Sequence, residues 1–134
     1  MRVSRFDPER DLILVRGYVW GARAQRRRER NLLLDTGAAE TIITPDILDE
    51  LGYSARLGEE RTVIRSAVGG EEGYMIRVAR FACLGHQQSD FRIHAHDLPD
   101  GWSIDGLIGL SFLRLLNYEI RSQEGRILVE RVVG

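Results

Sequence analysis

At 134 residues the chain has room for one domain with one core, and too little for two lobes of ordinary size. A net charge of −1 with 29% charged residues describes a well-mixed surface, which argues against nucleic acid or a membrane as the main partner. The single cysteine, Cys83, excludes an intrachain disulfide and fits a reducing compartment, so a cytoplasmic location is expected.

The N-terminal stretch from Met1 to Pro8 is polar and lacks the apolar run of a secretory leader, and no later stretch approaches the length of a spanning helix. Neither secretion nor anchoring is expected. Leu12 to Trp20 reads as a strand of β-branched and aromatic residues closed by Gly21, with Asn31 to Asp35 as its hairpin partner. Between them lie Arg23, Arg26, Arg27, Arg28 and Arg30. Such a run can bind phosphates, but Glu29 interrupts it and no aromatic residue is interleaved for stacking. A solvated hairpin tip is the expectation, with nucleic acid the disfavoured alternative. All 19 basic residues are arginine, a bias read as codon usage.

Residues 31 to 44 carry the chemistry. The apolar run Leu32 to Leu34 delivers Asp35 into a tight turn at Thr36 and Gly37, and a second, β-branched run follows from Thr41 to Thr44. As a plain turn, Asp35 would be ordinary and Gly37 would supply a positive φ. A carboxylate at the end of a buried strand resists ionisation, however, and the arrangement makes sense if a second carboxylate shares its proton.

Pro45 opens a short helix that stops at Gly52. A strand from Arg61 to Val68 and a longer one from Tyr74 to Cys83 flank a glycine-rich tip, Gly69 to Gly73, and so form a hairpin. Leu84 to Ser89 reads as a polar turn. From Asp90 to His96 the sequence alternates, with Phe91, Ile93 and Ala95 on one face and Arg92, His94 and His96 on the other. Two histidines on one face can ligate a metal, but no third ligand has matching spacing beyond nearby His86, so a solvated strand face and no metal are expected. A loop over residues 97–103 leads to Ile104 to Gly109, a buried strand ending at a glycine, and then a helix from Leu110 to Leu116. Asn117 to Gln123 and Arg126 to Val132 form a terminal hairpin about Glu124 and Gly125.

Taken in order, Asp35-Thr36-Gly37, the glycine-tipped hairpin about thirty residues later, and the apolar pair Leu107-Ile108 before Gly109 resemble the retropepsin-like family of single-domain, dimeric aspartic proteases. The resemblance covers about residues 12–132 and implies an all-β, mainly antiparallel acid-protease fold with one or two short helices, closed by homodimerisation. Two-lobed aspartic proteases carry one such triplet per lobe; this chain has one triplet, so a second copy would supply the second carboxylate about a two-fold axis. By resemblance the chain is an aspartic endopeptidase acting on peptide or protein substrates without cofactor or metal, with Asp35 catalytic and Thr36, Gly37 and Ala38 completing the active-site turn. The same resemblance makes Val68, Gly69 and Gly70 the flap, Leu32, Leu107, Ile108 and Gly109 the substrate-pocket walls, and Ile127, Val129 and Val132 candidates for the dimer contact. Thr36 hydroxyls would bond across the dimer interface. Viral members often place an Asp and an Arg where this chain has Ala39 and Leu110, so it looks closer to the cellular and bacterial members. The alternative is a catalytically silent, dimeric peptide-binding module of the same fold.

Overall fold

Alternation decides which face of each strand turns inward. In β2 (Leu14–Trp20) Val15, Gly17 and Val19 are buried, while Arg16 is exposed. A computed structural model describes residues 1–23, 26–53, 60–66, 69–98 and 103–131, with the backbone alone for 60–66, 69–72 and 131. Its elements are β1 (Arg2–Arg5), β2, β3 (Arg27–Leu34), β4 (Ile42–Ile43), α1 (Pro45–Glu50), β5 (Glu60–Ser66), β6 (Gly69–Cys83), β7 (His86–Ala95), β8 (Gly106–Ile108), α2 (Leu110–Leu113), β9 (Leu116–Arg121) and β10 (Arg126–Arg131).

The larger sheet has the order β2-β3-β8-β4-β7-β6-β5, and an extra pairing of β2 with β6 closes six of its strands into a barrel. Closure removes most open edges, and the six-strand ring fills with side chains. Inside it, Phe81 stacks on Phe91 with centroids 5.3 Å apart, and Phe112 from α2 meets both rings edge-on at 5.1 and 5.6 Å. A helix of four residues cannot hold itself. Burial of Phe112 and Leu113 anchors it instead.

Strand β6 changes partners along its length. Tyr74 to Cys83 pairs with β7, Phe81 to Cys83 also with β2, and Gly69 to Gly73 with β5 alone. Residues 62–66 and 69–73 therefore form a two-stranded arm beyond the end of β7. Gly73 marks its root, where a side chain would collide with the Ala95 carbonyl and the His96 ring.

Several boundaries differ from those expected. The polar start contains β1, which pairs with β10 in a second, three-stranded sheet of order β1-β10-β9. This pairing between chain ends leaves no local sequence signal. Strand β3 begins at Arg27, so three of the arginines expected in a hairpin tip belong to a strand; residues 24–25 lie outside the described part. Gly69 and Gly70 are strand residues as well. Ser66 pairs with Gly69; the expected flap residue Val68 lies outside the described residues. The polar turn shrinks to Leu84 and Gly85, both at positive φ (53° and 80°), as a two-residue hairpin turn of the right twist requires. The second helix stops at Leu113, and β9 starts at Leu116.

Two further corrections concern burial. His96 is 2% exposed and the His94 side chain 12%, because β7 runs between β4 and β6; neither lies on a solvated face. Ile127 and Val129, expected at a dimer contact, are buried within the single chain, since β10 is flanked by β1 and β9 and its inner face joins the core. Val132 lies outside the described residues.

Candidate active site

Asp35 stands at the end of β3, and its position is fixed from three sides. Strand β8 runs between β3 and β4, parallel to the first and antiparallel to the second, so residues 35–41 arch over its end. The Asp35 N–H donates to the Ile108 carbonyl at 3.0 Å, the Ala38 N–H to the Asp35 carbonyl at 3.2 Å, and the Gly37 N–H to Asp35 Oδ1 at 3.0 Å. The last bond satisfies one carboxylate oxygen locally, as Asx turns do. Asp35 is half-buried, while Thr36 and Gly37 are exposed.

Gly37 does not have a positive φ, contrary to what an ordinary turn reading asks of it. Its lack of a side chain matters for a different reason: a Cβ would stand 3.3 Å from Asp35 Oδ1. Gly109 is under a stronger constraint. A Cβ there would run into the Glu40 carbonyl and lie 2.7 Å from the Ala38 carbonyl, so the loop packs directly on the glycine. The start of α2 then holds the loop's far side: the Leu110 N–H donates to the Ala38 carbonyl at 2.8 Å and the Ser111 N–H to the Ala39 carbonyl at 2.9 Å. The backbone groups at this helix end, which have no partner inside the helix, are thus used by the loop.

Thr41 is the polar residue that sequence reasoning missed. Fully buried at the end of the arch, its hydroxyl accepts the Gly109 N–H at 3.3 Å and shares a hydrogen bond with Ser111 Oγ at 2.9 Å. Its place in a β-branched run hid it, although a threonine flanked by apolar residues could have signalled a buried hydroxyl needing a partner. Nearby, His94 Nε2 lies 3.4 Å from Glu40 Oε2, and the His94 N–H donates to the Thr41 carbonyl, so β7 also braces the arch.

The expected pocket walls divide. Leu107 and Gly109 lie on or at the end of β8 beside the arch, but Leu32 and Ile108 are 0% exposed and pack into the barrel core. A side chain so completely covered presents no surface to a ligand, and their part is to carry Asp35 and Gly109 on rigid strands. Gly69 and Gly70 lie at the start of β6, in the projecting arm. Among the described residues no group of three or more His, Cys, Asp and Glu is placed to hold a metal ion. No described helix is long and apolar enough to cross a membrane.

A search of curated proteins finds no match. Among solved structures, a retropepsin-like aspartic protease from Rickettsia conorii superposes with a TM-score of 0.68 at 16% identity, covering 95% of this chain and 87% of that one. At that identity the likeness is one of fold, and it identifies this barrel as retropepsin-like. The aspartyl protease family matches residues 20–112, a span that holds Asp35, the arm and Gly109. The chain belongs to the aspartyl protease family.

Proposed function

We propose that the protein is an aspartic endopeptidase of the cytoplasm that works as a homodimer, with Asp35 of each copy forming one catalytic pair on the two-fold axis. The observation that carries this reading is the arch itself: a half-buried carboxylate held on a rigid, hydrogen-bonded loop, with Thr36 and Gly37 beside it open to solvent. Exposure of Thr36 leaves its hydroxyl available to bond across such an interface.

Two carboxylates brought together cannot both ionise easily, so the pair holds one proton between them and titrates as a unit. Its ionised member draws a proton from a water bound between the two, and that water attacks the scissile carbonyl. The protonated member donates to the carbonyl oxygen as negative charge develops there. The reaction needs no covalent intermediate. The arm of residues 62–66 and 69–73 is the element suited to cover a bound peptide, holding it extended and limiting water to the nucleophile.

The test compares wild type with Asp35→Asn on an unfolded protein substrate from about pH 4 to pH 8, with oligomeric state followed by light scattering. Cleavage by wild type that disappears in the variant is the expected result. A confirmed dimer that cleaves nothing would instead favour a silent peptide-binding module.

A further inference from the structure

A cleft of about 560 Å³ opens between the two sheets, bordered by β1 and β2. Four arginines line it, Arg2, Arg5, Arg16 and Arg27, and among the described residues no Asp or Glu does. In a chain of net charge −1 that is a local concentration of positive charge. Arg16 shares its charge with Glu29 at 2.7 Å, an exposed pair of the kind that contributes little. Arg2, Arg5 and Arg27 have no side-chain ion pair among the described residues. The Arg2 stem lies across Gly85, where any side chain would displace it.

The aromatic residues of the cleft narrow the kind of anion. Arg27 sits over the rings of Tyr18 and Trp20, at 4.8 and 5.6 Å from their centroids, and Arg80 over Trp20 at 5.3 Å. One guanidinium thus lies over Tyr18 and two against Trp20, which reduces the ring surface on which a nucleobase could stack. The rings instead steady Arg27, whose planar fork matches a carboxylate. The backbone adds a second feature. β1 pairs with β10 alone, and β2 meets β6 only from Gly17 to Val19, so β1 and residues Leu14 to Arg16 of β2 carry an edge that no described strand takes up, the Arg16 carbonyl there accepting from Cys83 Sγ. An open edge accepts an extended chain.

We propose that this cleft, with unpaired strand edges on its walls and Arg2, Arg5, Arg16 and Arg27 around it, is a docking site for an extended acidic polypeptide segment. The site is separate from Asp35 and does not depend on the proposed reaction, so it is tested in full-length Asp35→Asn protein. Fluorescence anisotropy of a labelled oligoglutamate long enough to span β2 is followed as protein is added at low salt. Saturable binding is expected, weakened about tenfold by Arg2→Gln with Arg5→Gln and again by Arg27→Gln, and unchanged by Arg10→Gln, an exposed arginine outside the cleft. Thermal unfolding checks that each variant remains folded, and the substituted side chains of the double variant are exposed. Equal weakening by Arg10→Gln would reduce the effect to overall charge and overturn the proposal. So would oligoglutamine binding as tightly as oligoglutamate, or an oligothymidylate of the same charge binding more tightly through the same arginines. A change in oligomeric state of the cleft variants, in place of a change in peptide affinity, would assign the cleft to a second copy of the chain and equally overturn it.

Discussion

Thr41 shows how much of the site rests on one hydroxyl. Its Oγ1 serves both Gly109 and Ser111, 68 and 70 residues away in sequence, from a fully buried side chain. Thr41→Val keeps the shape and removes the hydroxyl, leaving the buried Gly109 N–H and the half-buried Ser111 hydroxyl short of a partner. The expected cost is about 1–3 kcal/mol in urea unfolding, largely restored by Thr41→Ser. A Val variant as stable as wild type would remove Thr41 from the support of the arch. Ala38 allows a prediction about pH. Many two-lobed members have a hydroxyl residue after the triplet, and a hydroxyl donating to an ionised carboxylate favours that form. Ala38→Ser is therefore expected to move the acidic limb of the pH–rate profile about one unit lower, and an unmoved limb would separate Ala38 from the dyad's titration. Asp35 and Gly109 were legible in the sequence because each sits in a local pattern, a carboxylate after an apolar run and a glycine after an apolar pair. The bond between Thr41 and Ser111 was not, since only the folded chain brings their segments together.

Strand β6 is the element on which local and long-range forces disagree most. Its glycines suggested a turn, yet Gly69 and Gly70 are extended and paired with Ser66 and Arg65. Glycine marks a backbone that must bend or stay approachable, and the sequence does not distinguish a turn from a projecting arm. The other end of β6 was legible as a strand, and there Cys83 is buried with its Sγ donating to the Arg16 carbonyl at 3.4 Å. Burial pushes its thiol up from 9.0 to about 12, partly opposed by a hydrogen bond from the Leu84 backbone. A raised value means that the folded chain keeps this proton after the unfolded chain has lost it. The stabilisation is complete below about pH 9 and declines as pH rises toward 12, with about 1.4 kcal/mol gone by about pH 10. Urea unfolding at about pH 8 and about pH 10 should show that loss. Cys83→Ala should diminish it, and an equal loss in the variant would assign the alkaline instability to other groups, such as Tyr53, whose hydroxyl is also raised by burial.

For the whole molecule, the number of chains per active site is the property that separates an aspartic endopeptidase from other uses of this barrel. The fold and family were legible because three short motifs in order sample the barrel at its arch, arm and supporting strand. By sequence Ile127 and Val129 read as candidates for a contact between copies, because a strand near the chain end looks the same whether its partner is internal or external. Ile127 and Val129 turn inward, and the described edges of the smaller sheet are β1 and β9. A mixing experiment tests the stoichiometry whichever surfaces join the two copies. If each site needs Asp35 from two chains that exchange freely, equal amounts of wild type and Asp35→Asn leave about a quarter of the dimers with both carboxylates. Activity per wild-type chain then falls to about half, and it falls further in proportion as the variant is increased at a fixed amount of wild type. Were one chain enough, added variant would leave that activity unchanged. Dilution gives an independent reading from the same preparation: a site shared between chains loses specific activity as the dimer dissociates, in step with the light-scattering mass, whereas a site within one chain keeps it.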